Sequence, residues 1–195
     1  MPLFRDTLLA HDVRLGLWLI SETVDELPEP VNTDLSHIRS ASHRREVKAV
    51  YALLAAMMGR DDLTIEHDAA GQPLLHGWNL SISHTRGWAA IMLSRRHGVG
   101  VDIEYRSDRV SRVADRFIRP DEQRDTLDEQ LICWSTKETV YKLLSEENLQ
   151  YFEMRLSPYL PSTAGSIEVD DLKQHQKVEV NYEINDNFVL TWATK

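Results

Sequence analysis

The sequence predicts a protein of the α+β class. Two long segments have helical periodicity, and several short segments alternate apolar and polar residues and pair as hairpins. The segment Val50–Leu54 (VYALL) returns 90 residues later as Val140–Leu144 (VYKLL), and each copy lies late in its helix. A leucine-rich match this short is more often chance than duplication when it stands alone, so the repeat by itself leaves both origins open.

The first half is predicted to hold one helix among strands. The helix covers Ser42–Met58, with Ser42 as its N-cap and Gly59 as its stop signal. A hairpin is expected around the turn His84–Gly87. The predicted strands are Val13–Ile20, Asn79–Ser83 and Trp88–Leu93, and the predicted loops are Thr23–Asn32 and Asp68–Pro73.

The second half repeats this mixture of elements. A strand is predicted at Val99–Glu104, a short helix at Val110–Phe117 and a long helix from Asp121 to about Ser145, which Pro120 begins. A second hairpin joins Lys177–Ile184 to Phe188–Ala193.

Composition excludes several classes of function. Of 195 residues, 42% are hydrophobic, which is enough for a packed interior. The 22 Lys and Arg residues against 31 Asp and Glu residues give a net charge of −9, so nucleic acid is not an expected partner. No apolar run reaches 18 residues, so no membrane span is expected. Cys133 is the one cysteine, and Met1–Ala10 does not resemble a signal peptide, so we expect a cytoplasmic protein without disulfides.

The predicted strand Val99–Glu104 carries two carboxylates on one face. Asp102 and Glu104 stand two residues apart, about 7 Å along the strand. Gly98 and Gly100 are expected to clear space beside them for a ligand. Neighbouring carboxylates resist joint ionisation unless a cation shares them, and Mg²⁺ is the natural partner of oxygen ligands. The alternative is an ordinary polar face of a half-exposed strand.

The second long helix places a carboxylate on a mostly apolar stripe. Glu138 lies in line with Leu131, Trp134 and Tyr141, where an unpaired carboxylate is costly. Lys142 follows one turn later. Glu138 could therefore be a metal ligand or a base beside a cation that faces a phosphate, or the two residues could form an exposed ion pair of little consequence.

The predicted turn after Ser83 could bind an anion. His84, Thr85 and Arg86 together offer several hydrogen-bond donors. The alternative is a solvated loop histidine. The fingerprints of the Rossmann, P-loop and α/β-hydrolase sites are missing from the sequence.

Taken together and in order, these motifs resemble one family. S-x-S-H (Ser81–His84), G-V-D-I-E (Gly100–Glu104) and W-S-x-K-E-x-x-x-K (Trp134–Lys142) are similar to the signature of the 4′-phosphopantetheinyl transferase superfamily. The nearest likeness is to its larger, surfactin-synthetase-activator type, which has two similar halves in one chain.

The resemblance implies an activity. The family transfers 4′-phosphopantetheine from coenzyme A to a serine of an acyl or peptidyl carrier protein, uses Mg²⁺ and releases adenosine 3′,5′-bisphosphate. By motif, Asp102, Glu104 and Glu138 would hold the metal, Glu138 would also take the serine proton, and Lys142 would contact the pyrophosphate and the leaving phosphate. The other residues expected to bind coenzyme A are Ser83, His84, Arg86, Gln72, Arg44, Arg45 and Lys137, with His84 also counted as catalytic.

The resemblance also implies a fold. Each half, residues 1–97 and residues 98–195, would pack one helix on a small antiparallel sheet, in a monomer. In the first copy of the repeat Lys48 replaces Glu138 and Ala52 replaces Lys142, so one active site is expected, between the halves.

The chain departs from the family pattern at three places. Gln72 replaces the lysine of a G-K-P turn, Tyr51 stands near a usual arginine, and Ser145–Asn148 replaces a Gly/Lys-rich stretch. The first two changes thin the positive charge expected around the coenzyme A 3′-phosphate. They keep open the alternative of a non-catalytic relative that binds coenzyme A or a carrier protein. An unrelated Mg²⁺-dependent nucleotide hydrolase would explain the carboxylates but not the His84 motif.

Overall fold

The computed structural model describes residues 2–195. The chain divides into two compact units, Met1–Gly98 and Val99–Lys195, one residue beyond the boundary that the sequence predicted. Each unit mixes helix with antiparallel sheet, as expected for the α+β class. No helix within residues 2–195 is long and apolar enough to cross a membrane.

The first unit packs one long helix on an antiparallel sheet. Its strands are β1 (Leu3–Ala10), β2 (Val13–Leu19), β3 (Glu66–His67), β4 (Pro73–Leu74), β5 (Asn79–Thr85) and β6 (Trp88–Ser94), and its helix is α1 (Ala41–Met58). The sheet has the strand order β1-β2-β6-β5, while β3 and β4 pair separately. The apolar face of α1 packs with side chains of β5 and β6 in one buried core, with Trp18 of β2 partly buried against it, which explains why the helical periodicity was readable from sequence.

The structure corrects two boundaries in this unit. The N-cap of α1 is Ser40, whose hydroxyl accepts a hydrogen bond from the His43 amide, and Ser42 lies inside the helix. Strand β5 continues through His84 and Thr85, so the hairpin turn is only Arg86–Gly87, with Gly87 at φ 84°. His84 is therefore a strand residue paired with Ala89, where the sequence predicted a turn.

Strand β1 was not predicted. It pairs with β2 along its length, but most of its side chains stay partly or fully exposed, including Leu8. Without a buried face the strand has no clean alternation of apolar and polar residues, and its backbone pairing alone leaves no sequence signal.

The second unit packs a helix on a larger antiparallel sheet. Its strands are β7 (Val99–Tyr105), β8 (Met154–Leu156), β9 (Ala164–Asp171), β10 (Gln176–Ile184) and β11 (Phe188–Thr194), and its helix is α2 (Leu127–Leu143). The strand order is β7-β11-β10-β9-β8. The second predicted hairpin is confirmed as β10 and β11, whereas β8 and β9 were missed. Short 3-10 helices cover Asp108–Arg116, Ser145–Glu147 and Tyr151–Glu153.

Helix α2 begins six residues later than predicted. Thr126 caps it, and Glu129 completes a capping box by accepting from the Thr126 amide at 2.8 Å. This T-x-x-E pattern was a stronger start signal than Pro120. The residues between Pro120 and the cap form a turn that places Glu122 in the core.

Candidate active site

Strand β7 carries the two carboxylates where the sequence placed them. Asp102 is only 3% exposed and lies opposite Thr191 of β11, while Glu104 is half-buried and lies opposite Val189. The intervening Ile103 is buried on the opposite face of β7. Both carboxylates therefore share the face of β7 on which α2 packs, as the side-chain contacts below show.

Helix α2 crosses β7 at close range over Gly100. A Cβ atom at this position would lie 2.5 Å from the carbonyl oxygen of Thr139 and 3.0 Å from the Cβ of Leu143. Gly100 thus makes room for the helix, which corrects the expectation that it clears space for a ligand. The close approach also brings the helix side chains within hydrogen-bond range of β7.

Asp102 is held by two side chains of α2. Lys142 Nζ donates to Asp102 Oδ1 at 2.7 Å and to the Val101 carbonyl oxygen at 3.1 Å. Ser135 Oγ donates to Asp102 Oδ2 at 2.8 Å, and this hydroxyl is itself 2.9 Å from Thr191 Oγ1. Lys142 and Glu138 were expected to meet as a helical ion pair in the alternative interpretation, but the ammonium reaches across to β7 instead.

Glu104 is bonded to the indole of Trp134, whose Nε1 donates to Glu104 Oε1 at 2.8 Å. Burial, together with the negative charge of Asp102, raises the pKa of Glu104 to about 7, while the hydrogen bond from Trp134 and the charge of Lys142 oppose this increase. A carboxylate in this environment favours either a proton or a cation.

Glu138 accepts a hydrogen bond from the Tyr151 hydroxyl at 2.7 Å. Burial raises the pKa of Glu138, and the Tyr151 hydrogen bond acts against this shift. Burial and the neighbouring Glu138 also raise the pKa of Tyr151 above its ordinary value, so the phenol stays protonated and remains a donor. Sequence reasoning missed Tyr151, because it lies on a 3-10 turn thirteen residues after Glu138 and in no periodic pattern.

Lys137 does not face this group. Its side chain is fully buried, and its ammonium donates to Glu122 at 2.9 Å and to the carbonyl oxygens of Phe117 at 2.7 Å and Tyr151 at 3.2 Å. These contacts correct the role expected for Lys137 as a charge near coenzyme A: it is a structural residue that fixes the segment carrying Tyr151.

The three carboxylates are a suitable donor set for a hard divalent cation. Asp102, Glu104 and Glu138 supply oxygen ligands only, which Mg²⁺ prefers. In the described part of the chain their ligand atoms do not all lie within 4.8 Å of one another, since each carboxylate bonds to a protein donor. Burial first, and the charge of Asp102 second, raise the pKa values of Glu104 and Glu138, so their ionised forms are disfavoured in the absence of a compensating cation.

The first unit holds the remaining predicted residues. His84 lies beside α1, with its Nδ1 3.3 Å from Glu46 Oε2, and the neighbouring Ser83 is buried. A cavity of about 740 Å³ lies over α1 and β5 and is lined by both His84 and Tyr51. The same cavity is thus lined by His84, a predicted binding residue, and by Tyr51, which departs from the family pattern.

The other predicted binding residues of this unit occupy separate places. Arg44 is engaged by the Ile38 carbonyl oxygen, to which its Nη2 donates at 2.6 Å, and Arg45 is partly buried. Arg86 is exposed in the hairpin turn. Gln72 lies in the turn between β3 and β4, and its backbone N–H donates to Asp68 Oδ1 at 2.8 Å.

Lys48, the residue that corresponds to Glu138 in the repeat, is buried. Its ammonium donates to Glu29 Oε1 at 2.9 Å and also to the Val24 carbonyl oxygen. A cation paired in this way cannot substitute for a carboxylate ligand, so the first copy of the repeat has no metal-binding counterpart of Glu138.

An antiparallel sheet with one crossing helix that joins buried carboxylates to a lysine is a site suited to phosphate chemistry. Residues 98–193 match the sequence model of the family described as "4'-phosphopantetheinyl transferase superfamily". The second unit is therefore similar in sequence to domains of this superfamily, as the motifs predicted. No curated protein matches the chain. The narrower assignment to the surfactin-synthetase-activator type stays a prediction.

Proposed function

We propose that this protein transfers 4′-phosphopantetheine from coenzyme A to a serine hydroxyl of an acyl or peptidyl carrier protein and releases adenosine 3′,5′-bisphosphate. The superfamily match to residues 98–193 supports phosphopantetheine transfer in general. The observation that carries the specific proposal is the contact of Lys142 with Asp102 at 2.7 Å beside a half-buried Glu138. This contact places a partly exposed ammonium beside three carboxylates whose residue types match the family motif.

The reaction requires a base near the incoming serine. The serine oxygen forms a bond to the phosphorus attached to pantetheine, and the bond from that phosphorus to the bridging oxygen of the pyrophosphate breaks. Glu138 would accept the serine proton, directly or through a water molecule, because burial raises its pKa and makes it a stronger proton acceptor than an exposed carboxylate. Tyr151 would hold the Glu138 carboxylate in place through the hydrogen bond that its hydroxyl donates at 2.7 Å.

The leaving group needs positive charge. Negative charge develops on the departing phosphate oxygen, and Lys142, whose side chain is 26% exposed, is the cation of the group that can reach a substrate. In the structure, the Lys142 ammonium is hydrogen-bonded to Asp102. Substrate binding would therefore require it to move toward the phosphate.

Asp102, Glu104 and Glu138 would hold Mg²⁺, which supplies charge neutralisation of the pyrophosphate when bound. Ser135 and Trp134 keep the β7 carboxylates oriented from the helix side, at 2.8 Å each. This support would hold the two carboxylates in position while the Lys142 ammonium at Asp102 is replaced by the cation.

Coenzyme A would also use residues of the first unit. We propose that Ser83, His84 and Arg86 contact its phosphates, with Arg44, Arg45 and Gln72 contributing more weakly. The departures at Gln72 and Tyr51 should weaken donor binding rather than chemistry, since the carboxylates and Lys142 belong to the other unit. We further expect a monomeric, cytoplasmic enzyme with one active site per chain.

The test is mass spectrometry of apo carrier proteins incubated with this protein, coenzyme A and Mg²⁺. We expect a phosphopantetheine mass gain at one serine. In the same assay Glu138→Gln should lower kcat by about 10² or more, and Lys142→Ala should lower it comparably. The matched control is Lys177→Ala, which removes an exposed ion pair between Lys177 of β10 and Glu168 of β9 and should leave turnover unchanged.

The alternative function predicts a different result. If fatty-acid and peptide-synthetase carriers all gain no mass while a known transferase modifies them, the protein is a non-catalytic relative. Calorimetry would then still detect binding of coenzyme A or of a carrier.

A further inference from the structure

Three side chains of the first unit converge outside the carboxylate group just described. His43 and Glu46 stand one turn apart on α1, and His84 faces them from β5. Glu46 Oε2 lies 3.3 Å from His84 Nδ1 and 3.9 Å from His43 Nδ1, and the two imidazole ring centres are 5.8 Å apart. In residues 2–195 this is the group of His, Cys, Asp and Glu side chains whose ligand atoms all lie within 4.8 Å of one another.

We propose that His43, Glu46 and His84 form a binding site for a divalent transition-metal ion of the Zn²⁺ and Co²⁺ class. This site is separate from the proposed Mg²⁺ ligands in both residues and ligand chemistry. Two imidazole nitrogens and one carboxylate oxygen suit borderline metals, whereas a site for Mg²⁺ is built from oxygen ligands.

The distances match the size of such an ion. Metal–ligand bonds of about 2.0–2.1 Å in a tetrahedral site place neighbouring ligand atoms about 3.3 Å apart. The contact between Glu46 and His84 already has this length, and His43 needs to approach by only a few tenths of an ångström from 3.9 Å. His43 is 52% exposed, so its side chain has room for this adjustment.

The backbone beneath the group is regular. Two ligands share one face of α1, and the third lies near the end of β5, where it is still paired with β6, so helix and sheet geometry set the spacing. His43 and His84 also line the cavity of about 740 Å³, which leaves open coordination positions accessible to water.

The proposal is compatible with a phosphate contact at His84. A metal on Nδ1 leaves the Nε2–H of the same ring available as a hydrogen-bond donor. The metal site therefore does not depend on the proposed transferase function, and its test needs neither coenzyme A nor a carrier protein.

The experiment is a titration of the tag-free full chain with Co²⁺ in excess Mg²⁺, followed by the visible absorption of bound Co²⁺, with Zn²⁺ added last to displace it. We expect one Co²⁺ per chain with the absorption of a nitrogen-ligated site of low coordination number. His43→Ala, Glu46→Gln and His84→Asn should each weaken Co²⁺ binding at least tenfold, because loss of a supporting group alone costs about 10–100-fold at metal sites.

The matched control is His97→Asn. His97 is 50% exposed and pairs with Asp12 at 3.6 Å, so it resembles His43 in exposure and in its carboxylate neighbour but has no second imidazole in the group. It should leave Co²⁺ binding unchanged. A Co²⁺ spectrum equal to that of the free ion, or one that survives all three ligand variants with their melting temperatures intact, would overturn the proposal, as would equal loss in His97→Asn.

Discussion

Gly100 offers the sharpest test of how α2 and β7 fit together. Replacing it with alanine would put a Cβ atom 2.5 Å from the Thr139 carbonyl oxygen and 3.2 Å from the Leu143 amide nitrogen. Both are backbone atoms of α2, so relief requires a shift of the helix and not the rotation of a side chain. We therefore expect Gly100→Ala to be destabilising.

The magnitude follows from two opposing effects. Overpacking a close-packed core costs about 1–3 kcal/mol, and a contact with backbone belongs at the upper end of that range. The lower backbone entropy of unfolded alanine returns about 0.4–1 kcal/mol. The net loss of unfolding free energy is about 2 kcal/mol, which in a chain of this length lowers the Tm by about 4–8 °C.

The first unit provides a matched control in Gly16, where β2 passes under α1. A Cβ atom there would lie 2.4 Å from Met57 Sδ and 3.0 Å from Leu53 Cδ1. Both neighbours are the far ends of side chains, and a methionine adapts readily, so Gly16→Ala should cost less than half as much.

Thermal and urea denaturation of both variants, followed by circular dichroism and tryptophan fluorescence, measure these differences. If the transferase proposal is correct, Gly100→Ala should also lower kcat, because a shifted helix carries Lys142 and Ser135 away from Asp102. A Gly100→Ala protein at least as stable as Gly16→Ala would refute the reasoning about the helix–strand contact.

Three further predictions concern single side chains of the second unit. Lys137→Met should lower the free energy of unfolding by about 3–5 kcal/mol, since it leaves a buried carboxylate without its cation. The variant protein that does fold should keep an unchanged KM for coenzyme A. Tyr151→Phe should reduce kcat by loosening Glu138, whereas Tyr159→Phe, which removes a hydroxyl bonded at 2.7 Å to a backbone carbonyl, should affect stability alone. Glu104 has a folded-state pKa of about 7, above its usual 4.5, so in metal-free buffer its contribution to stability should be complete below about pH 4.5 and lost as the pH rises toward 7. Glu104→Gln should abolish this part of the pH dependence in urea denaturation, and an unchanged pH profile would contradict the raised pKa.

The elements with one buried face were the ones that the sequence predicted well. Helix α1 and strand β10 repeat apolar residues at the period of their structure, because one side of each packs on a core. Strand β1 was missed because its side chains are mostly exposed. The predicted start of α2 was too early because it was based on Pro120, whereas the capping box at Thr126 begins the helix.

The candidate site was predictable in its residue types but not in its pairings. Motif and spacing predicted Asp102, Glu104, Glu138 and Lys142 as site residues, a role that stays a prediction, and the structure shows a hydrogen-bond partner for each of the four. Spacing along one helix could not show that Lys142 crosses to β7 instead of pairing with Glu138. Nor could it show a contact with Tyr151, which depends on the path of the chain after α2.

Lys137 shows why neighbouring residues of one motif can have unrelated roles. Successive helix residues turn by about 100°, so a residue one position before Glu138 points to a different side of α2. Residues 134, 138 and 142 are spaced by four and follow one face, which meets the β7 carboxylates and Tyr151. Residue 137 turns toward Glu122 and the core.

The segment Trp134–Lys142 therefore combines three tasks within two and a half turns of helix. Trp134 and Ser135 orient the carboxylates of β7, and Lys137 anchors the turn that carries the partner of Glu138. Glu138 and Lys142 remain as the two groups that we propose act on the substrate. Because support and chemistry come from the same rigid helix, any movement of α2 changes both at once, and Gly100 is the residue that sets its distance from the strand.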